Sequence, residues 1–196
     1  MTGKSLITLA LVAASLVAAQ GMSKPSFCMR YDCPAFDTQR LNGYELRSYG
    51  ETKWVVTSAI GSTSGMFSKL FRYISGANSE RQRIKMTAPV ATKVQSVGGN
   101  QFRYTMMFYV PGDNPPTPTD SSVEIITLPA RDVYVRTFYT WFFMASQSQY
   151  ESEADELRSA LDNNDAAFDL TSYYQISYSS PYWPLRKHQE IWLDRN

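Results

Sequence analysis

The order of the predicted strands and helices occurs twice along the chain, and this repetition limits the fold more than any single motif does. In each half, two strand-like stretches are followed by an amphipathic helix and then by two further strands. The first half has strands at 44–49, 53–60, 84–94 and 102–110 and a helix at 66–74; the second has strands at 123–128, 132–138, 172–179 and 189–193 and a helix at 147–163. Between the halves, the prolines of residues 111–120 exclude a helix or a paired strand and predict a connector.

This repeat predicts an α+β fold, because strands outnumber helices in both halves. Two duplicated ββαββ-type halves would share one mostly antiparallel sheet or open barrel. In the strand at 102–110, one face carries Phe102, Tyr104, Met106, Phe108 and Val110, and the other carries Arg103, Thr105, Met107 and Tyr109. Both faces of this strand are fairly apolar, which predicts a central position in the sheet.

Both predicted helices carry an apolar face at helical spacing. The first has the apolar residues Met66, Phe67, Leu70, Phe71 and Ile74, and the second has Tyr150, Ala154, Leu157 and Leu161. Residues 62–64 (Ser-Thr-Ser) offer side-chain oxygens to cap the first helix, and Gly76 is suited to end it. The wide apolar face of the first helix leaves open which of its residues are core and which are exposed.

The first twenty residues are predicted to be a secretory signal peptide and not part of the fold. Lys4 gives a positive start, residues 6–17 form an apolar run that is short for a bilayer span, and residues 18–21 offer small side chains for cleavage. An uncleaved membrane anchor is the alternative. We therefore expect a secreted, extracellular protein that has no transmembrane span once the signal is removed.

The two cysteines, Cys28 and Cys33, have four residues between them. An oxidising compartment favours their pairing as a small-loop disulfide that orders the N-terminal segment, residues 21–43. The spacing is wrong for a redox CxxC motif. Two free thiols, or a bridge between two molecules, are the alternatives.

Charge and histidine content exclude several classes of function. The chain has 19 Lys and Arg against 18 Asp and Glu, and removal of Lys4 with the signal brings the net charge to zero. No strong field is present to attract a polyanion, so nucleic acid is not an expected partner. His188 is the single histidine, which excludes a zinc site with two or more histidine ligands from one chain.

Blocks of sequence taken in order along the chain resemble the SOUL family of heme-binding proteins. They are YELRSY at 44–49 with KWV at 53–55, IKMTAPV at 84–90, PPTPTD at 115–120, VYVRTF at 133–138, YSSP at 178–181 and QEIWL at 189–193, preceded by DCP at 32–34. The resemblance extends over residues 32–194, and the ordered set is far more specific than any one block. It implies a SOUL heme-binding domain at 44–196, built as a distorted barrel of about eight strands flanked by two helices with a pseudo-twofold repeat.

The resemblance also implies non-covalent binding of heme or porphyrin in an exposed apolar groove. Family members hold the tetrapyrrole partly along the first helix, with a later loop on the other side. Carried over by position, the groove would draw on Met66, Phe67, Leu70 and Phe71, and on the loop at 180–183, which contains Tyr182 and Trp183. The protein is then expected to be a binding protein and not an enzyme, as a monomer or weak dimer.

A porphyrin is an apolar plate with two carboxylates at one edge, so cations beside the groove are candidates to bind its propionates. The candidates are Lys69, Arg72, Arg81 and Arg83 on or after the first helix, and Arg186 and Lys187 after the Trp183 loop. Each is also explained as a solvated surface charge. If a side chain ligates iron, His188, Met66 or a tyrosine could serve, and binding driven by burial of the plate alone is the alternative.

Two further classes of function stay open. A hydrolase could act on an apolar molecule in the same groove if Glu45 or Glu190 were a buried carboxyl with a raised pKa. A secreted interaction module could use an exposed aromatic patch as its interface.

Overall fold

The computed structural model describes residues 24–196, and the predicted signal peptide lies outside this range. Within these residues, the chain forms one sheet of nine strands with two α-helices and a single 3₁₀ turn at Ser26–Cys28. The strands are β1 (Phe36–Arg40), β2 (Glu45–Tyr49), β3 (Thr52–Ile60), β4 (Val90–Gly98), β5 (Gln101–Tyr109), β6 (Glu124–Leu128), β7 (Arg131–Trp141), β8 (Ser172–Ser177) and β9 (Arg186–Asp194). The helices are α1 (Met66–Ile74) and α2 (Gln147–Asp162).

The sheet is antiparallel throughout, and its strand order carries the repeat seen in the sequence. The order is β1-β2-β7-β9-β8-β4-β5-β3-β6. If β1 is set aside, the order can be read from the opposite edge with each strand replaced by its equivalent in the other half, and the result is the same order. The centre of this symmetry is the pairing of β4 with β8, in which Thr92 lies opposite Gln175. The predicted α+β class and duplicated architecture are confirmed, as an open, curled half-barrel.

In each half, the first strand pairs with a strand of the other half. β2 pairs with β7, whereas β6 pairs with β3. Neither half therefore forms a complete sheet, and the two must fold together. This exchange joins parts of the chain that are far apart in sequence, so local patterns do not reveal it.

β7 and β9 extend beyond their predicted bounds, and the larger differences from prediction are at β1 and at residues 84–89. β1 is a ninth strand that was not predicted; it pairs along its whole length with β2, placing Phe36 opposite Tyr49. Residues 84–89 are not a strand, and the ladder begins only at Val90 because Pro89 has no N–H to donate. The apolar residues of that segment, Ile84 and Met86, instead pack beside helix α1.

The helix ends agree in part with prediction. Gly76 has a φ of 119° and closes α1: its N–H donates to the Tyr73 carbonyl, and the Ala77 N–H donates to the Arg72 carbonyl. This is the Schellman arrangement that favours glycine. The predicted N-cap of α1 was wrong, because Gly65 precedes the helix without a side-chain cap. Helix α2 begins with a capping box between Ser146 and Gln149.

The core is divided by the sheet. On β3, Val55 packs with α1, whereas its neighbours Trp54 and Val56 belong to a second cluster on the opposite face. On β9, Ile191 packs with α2, whereas Trp192 belongs to that same second cluster. Both helices therefore cover one face, and the second cluster lies on the other.

The N-terminal segment covers part of the face opposite the helices. The predicted disulfide between Cys28 and Cys33 is present, with a Cα–Cα distance of 6.3 Å, and Cys28 is fully buried in the second cluster. A backbone bridge between Asp32 and Thr87 attaches the segment to the stretch before β4. Within residues 24–196, no helix is long and apolar enough to cross a membrane.

Candidate ligand-binding site

A cavity of about 480 Å³ lies between helix α1 and the segment that follows strand β8. Its lining is mostly apolar and comes from four parts of the chain: Tyr31, Phe67 and Phe71, residues 86–88 with Val90, and residues 177–182. Its volume is within the usual range for a small-molecule site. The first helix and the later loop, which the family resemblance placed on two sides of a groove, line this one cavity.

Helix α1 contributes an aromatic wall. Phe67 and Phe71 are one turn apart, and their rings stack with centroids 5.9 Å apart and planes 15° from parallel. The edge of Phe108 on β5 supports Phe67 at 5.1 Å. Both α1 rings remain substantially exposed, so they present a flat apolar surface that is open to solvent.

The opposite wall is the loop at 180–182, and Lys187 holds it in place. The Lys187 side chain is fully buried, and its Nζ donates to the carbonyls of Ser180 and Pro181 at 3.0 Å each and also to that of Trp183. These three bonds use all the protons of the ammonium group. Lys187 was a candidate for binding propionates, but its position makes it a support for the loop.

The other predicted groove residues separate into two groups. Phe67, Phe71 and Tyr182 line the cavity. Met66 and Leu70 are on the inner side of α1 and are buried, because one side of an amphipathic helix packs against the core. Trp183 is partly exposed and lies outside the lining.

The predicted cations are not part of the cavity lining within the described part of the chain. Arg81 and Arg83 are exposed on the loop after α1, and Arg72 on the helix lies 3.5 Å from the Asp120 carboxylate. The Arg186 guanidinium lies over the Tyr139 ring at 4.0 Å. These cations were candidates because they are close in sequence to the predicted groove residues, but none of them lines the cavity.

His188 does not line the cavity, although its ring contacts the lining residue Tyr178. Its ring stacks on Phe27 at 4.3 Å and meets the edges of Tyr139 and Tyr178. Its Nε2 is 2.6 Å from Oε1 of Glu190. This hydrogen bond and the surrounding rings make His188 part of the packed face of the sheet.

Glu190 is buried but does not meet the condition for a catalytic acid. Its two oxygens accept bonds from both Nη atoms of Arg47 and from the Trp192 indole, in addition to His188. Burial alone would raise the pKa of Glu190, but the charge of Arg47 and the hydrogen bond with His188 outweigh it and lower the pKa to about 2. Glu45 also pairs with Arg47, at 2.8 Å, and neither carboxylate lines the cavity.

Several lining residues were not predicted. Tyr31 reaches the cavity from inside the disulfide loop, and Met86 comes from the stretch that was taken for a strand. Tyr178 lies directly before the loop. The IKMTAPV block contains four lining positions, Met86 to Ala88 and Val90, so its place among the family motifs was the available signal.

A family model described as SOUL heme-binding protein matches residues 31–194. The chain belongs to the SOUL heme-binding family. This match extends over every strand and both α-helices described above.

Members of the SOUL family and more distant folds resemble the chain to different degrees. Human heme-binding protein 2 is 32% identical over 191 residues, covering 92% of this chain and 90% of the human protein. Mouse heme-binding protein 2 is 33% identical over 164 residues, covering 76% and 77%. A solved structure titled as a hydrolase from Listeria innocua superposes with a TM-score of 0.54 at 10% identity, covering 79% of this chain and 92% of its own. At that identity, the likeness is one of fold alone.

Proposed function

We propose that this SOUL protein binds a tetrapyrrole, either heme or iron-free porphyrin, reversibly and without a covalent bond in the cavity between α1 and the 177–182 segment. The observation that carries the proposal is the stacked pair Phe67 and Phe71, which faces the loop containing Tyr182 across a mostly apolar cavity. A flat aromatic macrocycle gains most by stacking on such a surface. The heme-binding names of the relatives support the same class of ligand.

The lining suits binding through contact with the flat macrocycle better than binding through tight side-chain ligation of the iron. The cavity contains no His or Cys among the described residues, which leaves Met86 and tyrosines as the available side-chain ligands. Burial raises the pKa of Tyr178 well above its ordinary value, so this phenol keeps its proton at neutral pH and is a poor ligand. When bound, heme would supply the iron; the chain supplies aromatic contact and exclusion of water.

The propionates are proposed to remain at the solvent-facing edge. No Lys or Arg lines the cavity in the described range, so a buried position for two carboxylates would lack cationic partners. The exposure of the two phenylalanine rings shows that one side of the cavity is accessible to water. The binding free energy then comes chiefly from burial of the plate.

Secretion is part of the proposal. The sequence of residues 1–21 has the features of a signal peptide, and the Cys28–Cys33 disulfide is typical of oxidising compartments. Detection of the protein in culture medium, with an N-terminus near residue 21, would support export. Retention of the full leader on a cell-associated protein would contradict it.

Titration with hemin and with protoporphyrin tests the ligand and the mode of binding together. The chain from Gly21 onward is expected to show saturable quenching of tryptophan fluorescence by both compounds, with dissociation constants within about threefold of each other. Absence of saturable binding by a folded sample would overturn the function. Binding of hemin alone would instead favour ligation of iron by a side chain.

The role of His188 is tested separately. We expect the His188→Ala variant to give the same hemin Soret band as the parent chain, because the imidazole lies outside the cavity lining and its Nε2 is bonded to Glu190. A shifted or lost Soret band in a folded variant would place His188 on the iron.

A further inference from the structure

Three consecutive aromatic residues are exposed where strand β7 ends. The exposed fractions are 60% for Trp141, 63% for Phe142 and 81% for Phe143, and Leu185 is exposed beside them, next to the β-ladder partner of Trp141, which is Arg186. We call Trp141, Phe142, Phe143 and Leu185 the aromatic tip. Large apolar side chains grouped in this way on a soluble surface mark a site of contact.

The aromatic tip is held in its exposed position by backbone contacts. The Phe143 N–H donates to the Trp141 carbonyl at 2.7 Å, and the buried Thr140 hydroxyl donates to the Phe143 carbonyl at 2.8 Å. Phe142 adopts a φ of 64°, in the left-handed region that bulky residues rarely occupy. A left-handed conformation at a bulky residue whose ring is exposed indicates a functional constraint on this turn.

The charged side chain next to the aromatic tip is a cation, Arg186. Residues 137–150 and 171–189, which contain the tip and its flanking strands, include no Asp or Glu. Arg186 is exposed in the same place, paired across the ladder with Trp141. Aromatic residues beside a cation suit the interface of a lipid bilayer, where rings sit at the headgroup level and Arg meets lipid phosphate.

We propose that the aromatic tip docks this protein on a lipid bilayer surface. Trp141, Phe142 and Phe143 would enter the interfacial region, and Arg186 would contact phosphate groups. The loop from Leu185 back to Tyr182 connects the aromatic tip to the wall of the cavity. If the proposed function holds, docking brings the cavity next to a phase in which an amphipathic tetrapyrrole is dissolved; the docking itself requires no tetrapyrrole.

Vesicle co-sedimentation of the ligand-free chain from Gly21 onward tests the proposal. The vesicles contain phosphatidylcholine alone or with phosphatidylserine, and binding is also followed by the blue shift of tryptophan emission. Trp141 and the partly exposed Trp183 contribute to that shift, while Trp54 and Trp192 are buried. The variant Trp141→Ser/Phe142→Asn/Phe143→Ser should lower the partition coefficient at least about tenfold, because it removes three large apolar side chains. Asparagine is chosen at position 142 because it tolerates the left-handed backbone of Phe142. Arg186→Glu should weaken binding mainly to the anionic vesicles, and added salt should reduce that difference.

The matched control is Leu170→Ser, because the exposure of Leu170 is within the range of the tip residues and Leu170 precedes the far end of strand β8. It should bind vesicles as the parent chain does. Equal binding by the triple variant, or no binding of the parent chain to either vesicle, would overturn the proposal. If the parent chain associates with itself in a concentration-dependent way and does not bind vesicles, the aromatic tip is the contact for a second copy of the chain. Hemin titration of the folded triple variant should be unchanged, so failure of docking is distinguishable from failure of the proposed function.

Discussion

Arg47 on β2 and Glu190 on β9 form a two-pronged ion pair across strand β7, which lies between their strands. Both Nη–Oε distances are 2.9 Å, and both side chains are excluded from solvent. The pair therefore connects strand β2, which is next to the edge strand β1, to the C-terminal strand β9. Its partners include His188, the residue that the sequence offered as an iron ligand.

Removal of the Glu190 charge should be strongly destabilising. In Glu190→Gln, the buried Arg47 loses its fully buried counter-charge and keeps only the partly exposed Glu45, and we expect the free energy of unfolding to fall by about 3–5 kcal/mol. Urea denaturation at pH 7 measures the change. Glu156→Gln is the control, because Glu156 is mostly exposed and 3.6 Å from Arg136; its effect should be within about 0.5 kcal/mol. Similar stabilities for the two variants would contradict the assigned importance of the buried pair.

The lowered pKa of Glu190 predicts that the fold loses stability in acid. Its folded-state pKa of about 2 is below the ordinary value of 4.5, so the folded protein binds this proton less readily than the unfolded chain does. The resulting stabilisation, of order 2–4 kcal/mol, is present above about pH 4.5 and is lost as the pH falls towards 2. Urea midpoints at pH 7, 4 and 2.5 measure the loss. Glu190→Gln should show a smaller decline over this range; an identical decline would assign the acid sensitivity to other carboxylates.

The aromatic wall should control tetrapyrrole affinity without controlling stability. Phe67→Ala removes one of the two stacked rings, and we expect hemin affinity to fall about tenfold. Phe102→Ala is a matched control, since Phe102 is 39% exposed against 40% for Phe67 but lies outside the cavity. Fluorescence titration should separate the two variants. Equal losses in both would locate the binding surface elsewhere.

Lys187 should order the loop that forms the other wall. In Lys187→Met, the carbonyls of Ser180, Pro181 and Trp183 lose their common donor, so hydrogen exchange across residues 180–184 should accelerate. Hemin affinity should fall with it. Lys53→Met is the control, because Lys53 donates to one carbonyl, that of Asp113, at an exposed position. Unchanged exchange in the folded Lys187→Met variant would mean that the loop is held by other contacts.

The disulfide should affect both stability and ligand binding. In Cys28→Ala/Cys33→Ala, loss of the small covalent loop should lower the free energy of unfolding by up to about 2 kcal/mol. Tyr31, which is inside this loop and lines the cavity, should then be less fixed and hemin binding weaker. Reductant should reproduce both effects in the parent chain and change nothing in the variant. A parent chain whose hemin affinity is insensitive to reductant would exclude this role for Tyr31.

Local features were predictable because they depend on neighbours in the chain. The spacing of apolar residues predicted both helices, and Gly76 was correctly identified as the end of the first, since a left-handed residue favours glycine wherever it occurs. The repeated order of elements indicated the duplicated α+β fold. The family motifs placed α1 and the later loop beside each other.

The separation of core from cavity was not predictable at the level of single residues. Met66 and Phe67 are adjacent and both apolar, yet one is buried and the other lines the cavity. Lys187 follows Arg186 directly, but it is buried beneath the loop while Arg186 is at the surface. In each case the position depends on which side of the element other segments cover, and that is set by pairings distant in sequence.

The sequence by itself determined both helices and most of the strands, that these elements come in two equivalent sets, and to which family the chain belongs. Only the tertiary structure decided that β2 and β6 exchange between the halves, that the 84–89 segment lines a cavity, and that His188 contacts Glu190. The physical reason is that periodicity and capping are fixed within a few residues of chain, whereas a cavity forms where separate segments meet without filling the space between them.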